Sequence, residues 1–147
     1  VITRTFGVHL TVLDSTEPRR LAEFWRELLG LRYREGDEPP ADRDPDNLGD
    51  PDDPDWLVLV TEAGERRLAV QHVEQLVPTT WPDPAVPMQL HLDCSVPDVL
   101  SLQQVLQTAL GLGATLRLDR SEDPDEPLYV VADPAGHPFC VFVEAPL

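Results

Sequence analysis

The chain repeats one pattern of residues, and this repeat limits its possible folds more than any other feature. In each half, a strand-like segment carrying a histidine leads through a helix-like stretch to a glycine. The spacing is 21 residues from His9 to Gly30 and 20 residues from His91 to Gly111. Three short strand-like segments follow in each half. The repeat therefore predicts two copies of one β-α-β-β-β unit, with a site between the copies.

Length and charge exclude several classes of protein. A chain of 147 residues with 41% hydrophobic residues can bury a core as one ordinary domain. Its net charge of -16 argues against a nucleic-acid partner and against binding to anionic membranes. No signal peptide and no apolar run long enough to span a bilayer are found, so we expect a cytoplasmic protein. Two cysteines do not make a disulfide framework.

Alternating residues in the first strand of each copy predict which side chains face a helix. Over residues 6–13, we expect Val8, Leu10 and Val12 to pack under the helix and His9 and Thr11 to lie on the open face. The second copy has the same alternation, with an apolar set and a polar set. The apolar set comprises Leu92, Cys94 and Val96, and the polar set comprises His91 and Asp93.

The remaining patterns predict the boundaries of the two copies. An apolar helical stripe runs from Leu21 to Leu29, and Gly30 ends the helix. Residues 36–55 contain nine acids and five prolines, so we expect a solvated loop there. We predict a single domain over residues 1–147. It divides into a first module at about 5–76, a proline-rich linker at 77–87 and a second module at about 88–145.

Four segments in this order resemble the vicinal oxygen chelate superfamily, which includes glyoxalases, bleomycin-resistance proteins and extradiol dioxygenases. The segments are Leu21-Ala22-Glu23-Phe24-Trp25 with Leu29-Gly30, Leu68-Ala69-Val70-Gln71, His91-Leu92-Asp93 and Asp133-Pro134-Ala135-Gly136-His137-Pro138-Phe139-Cys140. The chain is most similar to glyoxalase-like domain proteins. The resemblance implies an α+β fold of two tandem βαβββ modules that form a cupped mixed sheet with the helices outside.

The resemblance also implies a set of metal-ligand positions. Metal-dependent members take one ligand from the first strand and one from the last strand of each module. These places correspond to His9, Gln71, His91 and Cys140, although a shift of one residue would replace His9 with Leu10. Glyoxalase I-type members carry glutamate where Gln71 stands, and glutamate is also common where Cys140 stands, so this set has no carboxylate to move a proton. We therefore do not expect the glyoxalase I reaction, and the set favours a metal-free site over one divalent metal ion.

Two classes of function follow from the resemblance. One is a small-molecule-binding protein, as the bleomycin-resistance members are, whose acidic surface suits a cationic ligand. The other is a metal-dependent lyase, isomerase or dioxygenase with an atypical site, and a relic or regulatory module is also open. Family members often dimerise, which implies a homodimer, and the cleft could form within one chain or across two. The predicted ligand-binding cleft comprises His9, Gln71, His91, Asp93, Cys140 and Phe142.

Overall fold

Each half of the chain folds into a compact unit of its own. The computed structural model describes residues 7–42, 52 and 54–144. The chain divides between Gln75 and Leu76 into units Val1–Gln75 and Leu76–Leu147. Residues 43–51 and 53 of the predicted acidic loop lie outside the described residues, as does Phe6 at the start of the first predicted strand.

The first unit is a four-stranded mixed sheet with one helix. Its sheet has the order β1-β4-β3-β2, in which β1 and β4 are parallel and the other pairs are antiparallel. The helix α1 begins at a proline, and the left-handed Gly30 ends it, as the sequence predicts. The elements are β1 (Thr11–Ser15), α1 (Pro18–Leu29), β2 (Arg32–Tyr33), β3 (Trp56–Val60) and β4 (Arg66–His72).

The second unit repeats this topology. Its sheet has the order β5-β8-β7-β6, and β5 and β8 are the parallel pair. The Asp98 carboxylate caps its helix by accepting a 2.7 Å hydrogen bond from the Ser101 N–H. The elements are β5 (Leu92–Val96), α2 (Val99–Gly111), β6 (Thr115–Arg120), β7 (Leu128–Ala132) and β8 (Pro138–Val143). The α+β class and the two tandem modules are thus confirmed.

The first strand of the first unit faces its helix differently from the prediction. The expected helix-facing residues Val8 and Val12 are 96% and 40% exposed, whereas Leu13 and Ser15 are buried. Leu13 and Ser15 lie on the same face of β1 as Thr11, and Val12 lies on the other. The helix therefore covers the face that was predicted to be open. The assignment fails because β1 begins at Thr11, so Val8 and Leu10 lie outside the strand on whose alternation the prediction relied.

No helix in the described part of the chain has the length and apolar character needed to cross a membrane. Helix α1 buries one face, which includes Leu21, Phe24 and Trp25. Helix α2 buries Leu102, Leu106 and Ala109 and packs on the sheet of its own unit. Each helix is therefore amphipathic and packs its apolar face on the sheet of its own unit.

Matched glycines in the two units give a test of local packing. Gly64 and Gly136 occupy the same place in the β3–β4 and β7–β8 turns, with φ of 84° and 94°. A Cβ at Gly64 would meet open space, but one at Gly136 would lie 2.5 Å from Pro78 Cβ. We expect Gly64→Ala to destabilise the protein by about 1–3 kcal/mol through its backbone conformation. Gly136→Ala should cost roughly 1–3 kcal/mol more through overpacking.

Urea denaturation of the two glycine variants measures this difference. Equal losses in the free energy of unfolding would contradict the close contact between the turn and Pro78. Because both variants share the positive φ, the comparison isolates the steric term.

Candidate functional site

Three side chains with metal-binding or hydrogen-bonding atoms meet at one edge of the second sheet. His91 directly precedes β5, Asp93 lies in β5, and Cys140 lies opposite Asp93 in the parallel strand β8. His91 Nε2 is 3.2 Å from Asp93 Oδ1. One donor atom from each of the three residues lies within 4.8 Å of the others. We call these three residues the polar cluster.

The environment of the polar cluster raises the pKa of its cysteine. Burial raises the pKa of Cys140, and the charge of Asp93 and a hydrogen bond to its carboxylate raise that pKa further. Cys94 follows Asp93 in β5, and burial together with the same carboxylate raises its pKa as well. Thiolates are the reactive form of cysteine, so Cys140 is not an activated nucleophile. It instead offers a weak hydrogen-bond donor beside a carboxylate acceptor.

Apolar side chains continue the same face of the second sheet. Val130 is opposite Cys140 in β7 and is buried. Phe142 lies two residues beyond Cys140 and is half-buried, with Leu128 as its partner in β7. Residues two apart in a strand share a face, so these side chains adjoin the polar cluster. The face thus combines hydrogen-bonding groups with an apolar floor.

The matching strands of the two units reveal which residues are equivalent. Strands β1 and β5 each have five residues and are each followed, after two residues, by a helix. The residue directly before the strand is therefore Leu10 in the first unit and His91 in the second. The parallel registers also match, because Thr11 is opposite Leu68 as Leu92 is opposite Phe139.

These registers place an alanine where the second unit has its cysteine. One residue beyond Leu68 and Phe139, Ala69 corresponds to Cys140, and the bulge near Val60 accounts for the extra residue in β4. Gln71 consequently corresponds to Phe142. The alternative alignment by one residue is thus the one that the strands adopt, with Leu10 in place of His9.

The first unit has an apolar cluster at the place of the polar cluster. Val58, Val60 and Ala69 are at most 6% exposed, and Leu10 packs against them. None of these side chains carries a donor or acceptor atom. The two units therefore share a backbone arrangement and differ in chemistry at the same place.

Two other predicted site residues lie in the first unit. His9 precedes β1 and is exposed. The Gln71 side-chain amide donates a 3.2 Å hydrogen bond to Asp14 Oδ1, and the two residues are opposite each other in β4 and β1. Gln71 was predicted to bond a ligand or His9, and Asp14 was not among the predicted residues. Leu10 and His91 lie the same number of residues before the first residue of their helices. That spacing is the sequence signal that would have selected Leu10 over His9.

The residues fit the metal set of the family only in part. Of the four family places as the structure aligns them, His91 and Cys140 carry donor atoms, and Leu10 and Ala69 carry none. The residues of this chain therefore do not fit a metal site whose ligands come from both modules. Asp93 lies outside the four family places, yet it brings a carboxylate to the two donors of the second unit.

Comparisons with known proteins identify the fold. A glyoxalase/dioxygenase from Nostoc punctiforme superposes with a TM-score of 0.60 at 18% identity, covering 95% of this chain and 92% of that chain. The fosfomycin resistance protein FosX from Listeria monocytogenes gives a TM-score of 0.63 at 11% identity, with 95% and 94% covered. Another structure of that protein was solved in complex with Mn(II) and a sulfate ion, and it gives 0.60 at 10% identity, covering 96% and 93%.

The sequence comparison with protein families agrees with these structures. No curated protein matches the chain significantly. The family profile of the glyoxalase-like domain matches residues 10–142, which is nearly the whole chain. The chain belongs to the glyoxalase-like domain family.

Proposed function

We propose that this protein binds a small organic molecule and does not catalyse the glyoxalase I reaction. One observation carries the proposal: the residues equivalent to His91 and Cys140 are Leu10 and Ala69, which belong to an apolar cluster. Glyoxalase I-type enzymes need a metal ion held by both modules and a carboxylate that moves a proton. The first unit of this chain supplies no donor atom at either position.

The chemistry of the second unit suits a ligand with a cationic group on an apolar body. Asp93 is 60% exposed and offers carboxylate oxygens to an ammonium group. Val130 and Phe142 on the same face would pack against the apolar part. The net charge of -16 would also raise the local concentration of a cation.

Matched amines and amides test this proposal. Arylalkyl ammonium compounds and their neutral acetamides would be titrated calorimetrically into tag-free protein in a chelating buffer. We expect the ammonium compounds to bind more tightly than the amides. Asp93→Asn should weaken their binding roughly tenfold or more, because a charge-assisted hydrogen bond contributes about 1.5–3 kcal/mol.

Glu122→Gln is the control, because it removes one negative charge at another exposed position of the same unit. Its binding should stay within about twofold of the wild type if the contact with Asp93 is specific. Equal binding by the amine and the amide, or equal losses in the two variants, would refute the proposed ligand class. Glyoxalase I turnover with added zinc, nickel or manganese would refute the proposal as a whole.

A metal-dependent lyase, isomerase or dioxygenase is the second candidate. The polar cluster favours this candidate, because the cluster brings nitrogen, oxygen and sulfur donors together. Substrate turnover that requires a metal ion and is lost in Cys140→Ser would support this candidate over simple binding.

A further inference from the structure

We propose that His91, Asp93 and Cys140 form a binding site for a soft divalent metal ion of the zinc type, within the second unit alone. This site differs from the family's metal site, whose ligands come from both modules. Its donors are His91, directly before β5, Asp93 in β5 and Cys140 in β8. The inference does not depend on the organic ligand, and it deepens the second candidate function by naming the class of ion and the three donors that would hold it.

The donor atoms of the polar cluster lie near the separations that a tetrahedral zinc site requires. Zinc binds histidine nitrogen, carboxylate oxygen and thiolate sulfur at about 2.0–2.3 Å, so its donor atoms lie roughly 3.5 Å apart. Here the His91 and Asp93 atoms are 3.2 Å apart, and all three donors lie within 4.8 Å. The side chains of His91 and Asp93 are 39% and 60% exposed. They can therefore close on an ion by small rotations at little cost in packing.

The donor set selects a class of ion. Thiolate sulfur and imidazole nitrogen favour zinc and similar ions, whereas sets of oxygen donors favour magnesium, calcium and manganese. Cys140 thus gives this site a preference for zinc over manganese, and the ion would displace the thiol proton to solvent as it binds. Three protein donors leave a fourth position for water or a ligand, and the exposed side of the cluster leaves room for it.

Cobalt(II) is the probe that tests the site, because a bound thiolate gives it a charge-transfer absorption in the near ultraviolet. Tag-free protein comprising all 147 residues would be titrated with cobalt(II) and then with zinc. We expect a charge-transfer band that saturates at one equivalent and disappears when zinc displaces the cobalt. Manganese(II) should leave the band unchanged.

Cys94→Ser is the matched control, because Cys94 is the other free cysteine and alternates with Asp93 to the opposite face of β5. Cys140→Ser should abolish the band and Cys94→Ser should retain it, with both variants folded by circular dichroism. His91→Asn, at an exposed position, should weaken cobalt binding at least about tenfold even if Cys140→Ser does not fold.

The outcomes separate this inference from the proposed function. No charge-transfer band in the wild type, a band that Cys140→Ser retains, or a band that Cys94→Ser loses would each overturn the metal site. The amine titration in chelating buffer is unaffected by any of these results. Since an ion on Asp93 would compete with an organic cation, zinc should also weaken amine binding if both proposals hold.

Discussion

Replacing Arg19 with alanine is expected to lower the free energy of unfolding of the first unit by about 3–5 kcal/mol. The Arg19 side chain is only 3% exposed, although it is charged. Its Nη2 lies 2.5 Å from Asp52 Oδ2, and its Nη1 donates a 2.6 Å hydrogen bond to the Asp37 carbonyl. Its guanidinium also lies over the Tyr33 ring, 4.8 Å from the centroid.

The size of this effect follows from what the substitution leaves behind. Asp52 is 14% exposed and would keep a buried charge without its guanidinium partner. The Asp37 carbonyl would lose its donor, and Tyr33 would lose a cation on its ring face. Burial raises the pKa of Tyr33, so its hydroxyl stays protonated and donates to Glu23. The hydrogen bond from Tyr33 to Glu23 cannot replace the contacts that Arg19 makes.

Arg20→Ala is the control for Arg19→Ala. Arg20 is the next residue of α1, is 41% exposed and pairs with Glu17, so its loss should cost at most about 1 kcal/mol. Arg19→Lys should fall between the two, because lysine keeps the charge and loses the planar fork and the stacking. Urea denaturation followed by circular dichroism measures all three. Equal stability of the Arg19→Ala and Arg20→Ala variants would rule out the buried ion pair as a major stabilising contact.

Trp25→Ala is expected to cost about 3–5 kcal/mol of unfolding free energy, through lost burial and the cavity that remains. Trp25 is 0% exposed and lies edge-on to Phe24, with ring centroids 5.3 Å apart at 88°. It belongs to the face of α1 that packs on the sheet. An indole is too large for its neighbours to fill the space by relaxation.

A second tryptophan of the same unit provides the control. Trp56 lies in β3 and is 38% exposed, so Trp56→Ala should cost roughly 1 kcal/mol. Thermal and urea denaturation followed by far-ultraviolet circular dichroism would compare the two without relying on tryptophan fluorescence. If Trp56→Ala destabilises as much as Trp25→Ala, the assignment of the core face of the first unit is wrong.

Much of the fold could be predicted because its signals are local. The helical stripe with Trp25, the stop at Gly30 and the turn at Gly136 each depend on neighbours within a few residues. The predicted helix and most strands therefore agree with the structure. The start of β1 was misplaced, because apolar residues ahead of Thr11 alternate as a strand does without pairing as one.

The candidate site depended on pairings between distant residues. The sequence supplied His91, Asp93 and Cys140 as separate candidates, but Asp93 was not counted as a metal donor beside them. Parallel pairing of β5 with β8 sets Asp93 opposite Cys140 and joins the three donors. No local pattern fixes that register, because the two strands are far apart in the chain.

The sequence by itself determined that this protein has two copies of one unit, because the repeat and its periodicities are properties of adjacent residues. Only the tertiary structure decided that the copies are chemically unequal. The registers of β1 with β4 and of β5 with β8 place Leu10 and Ala69 where the other unit has His91 and Cys140. A shift of one residue in a strand moves each side chain to the other face, so the backbone pairing had to be known first.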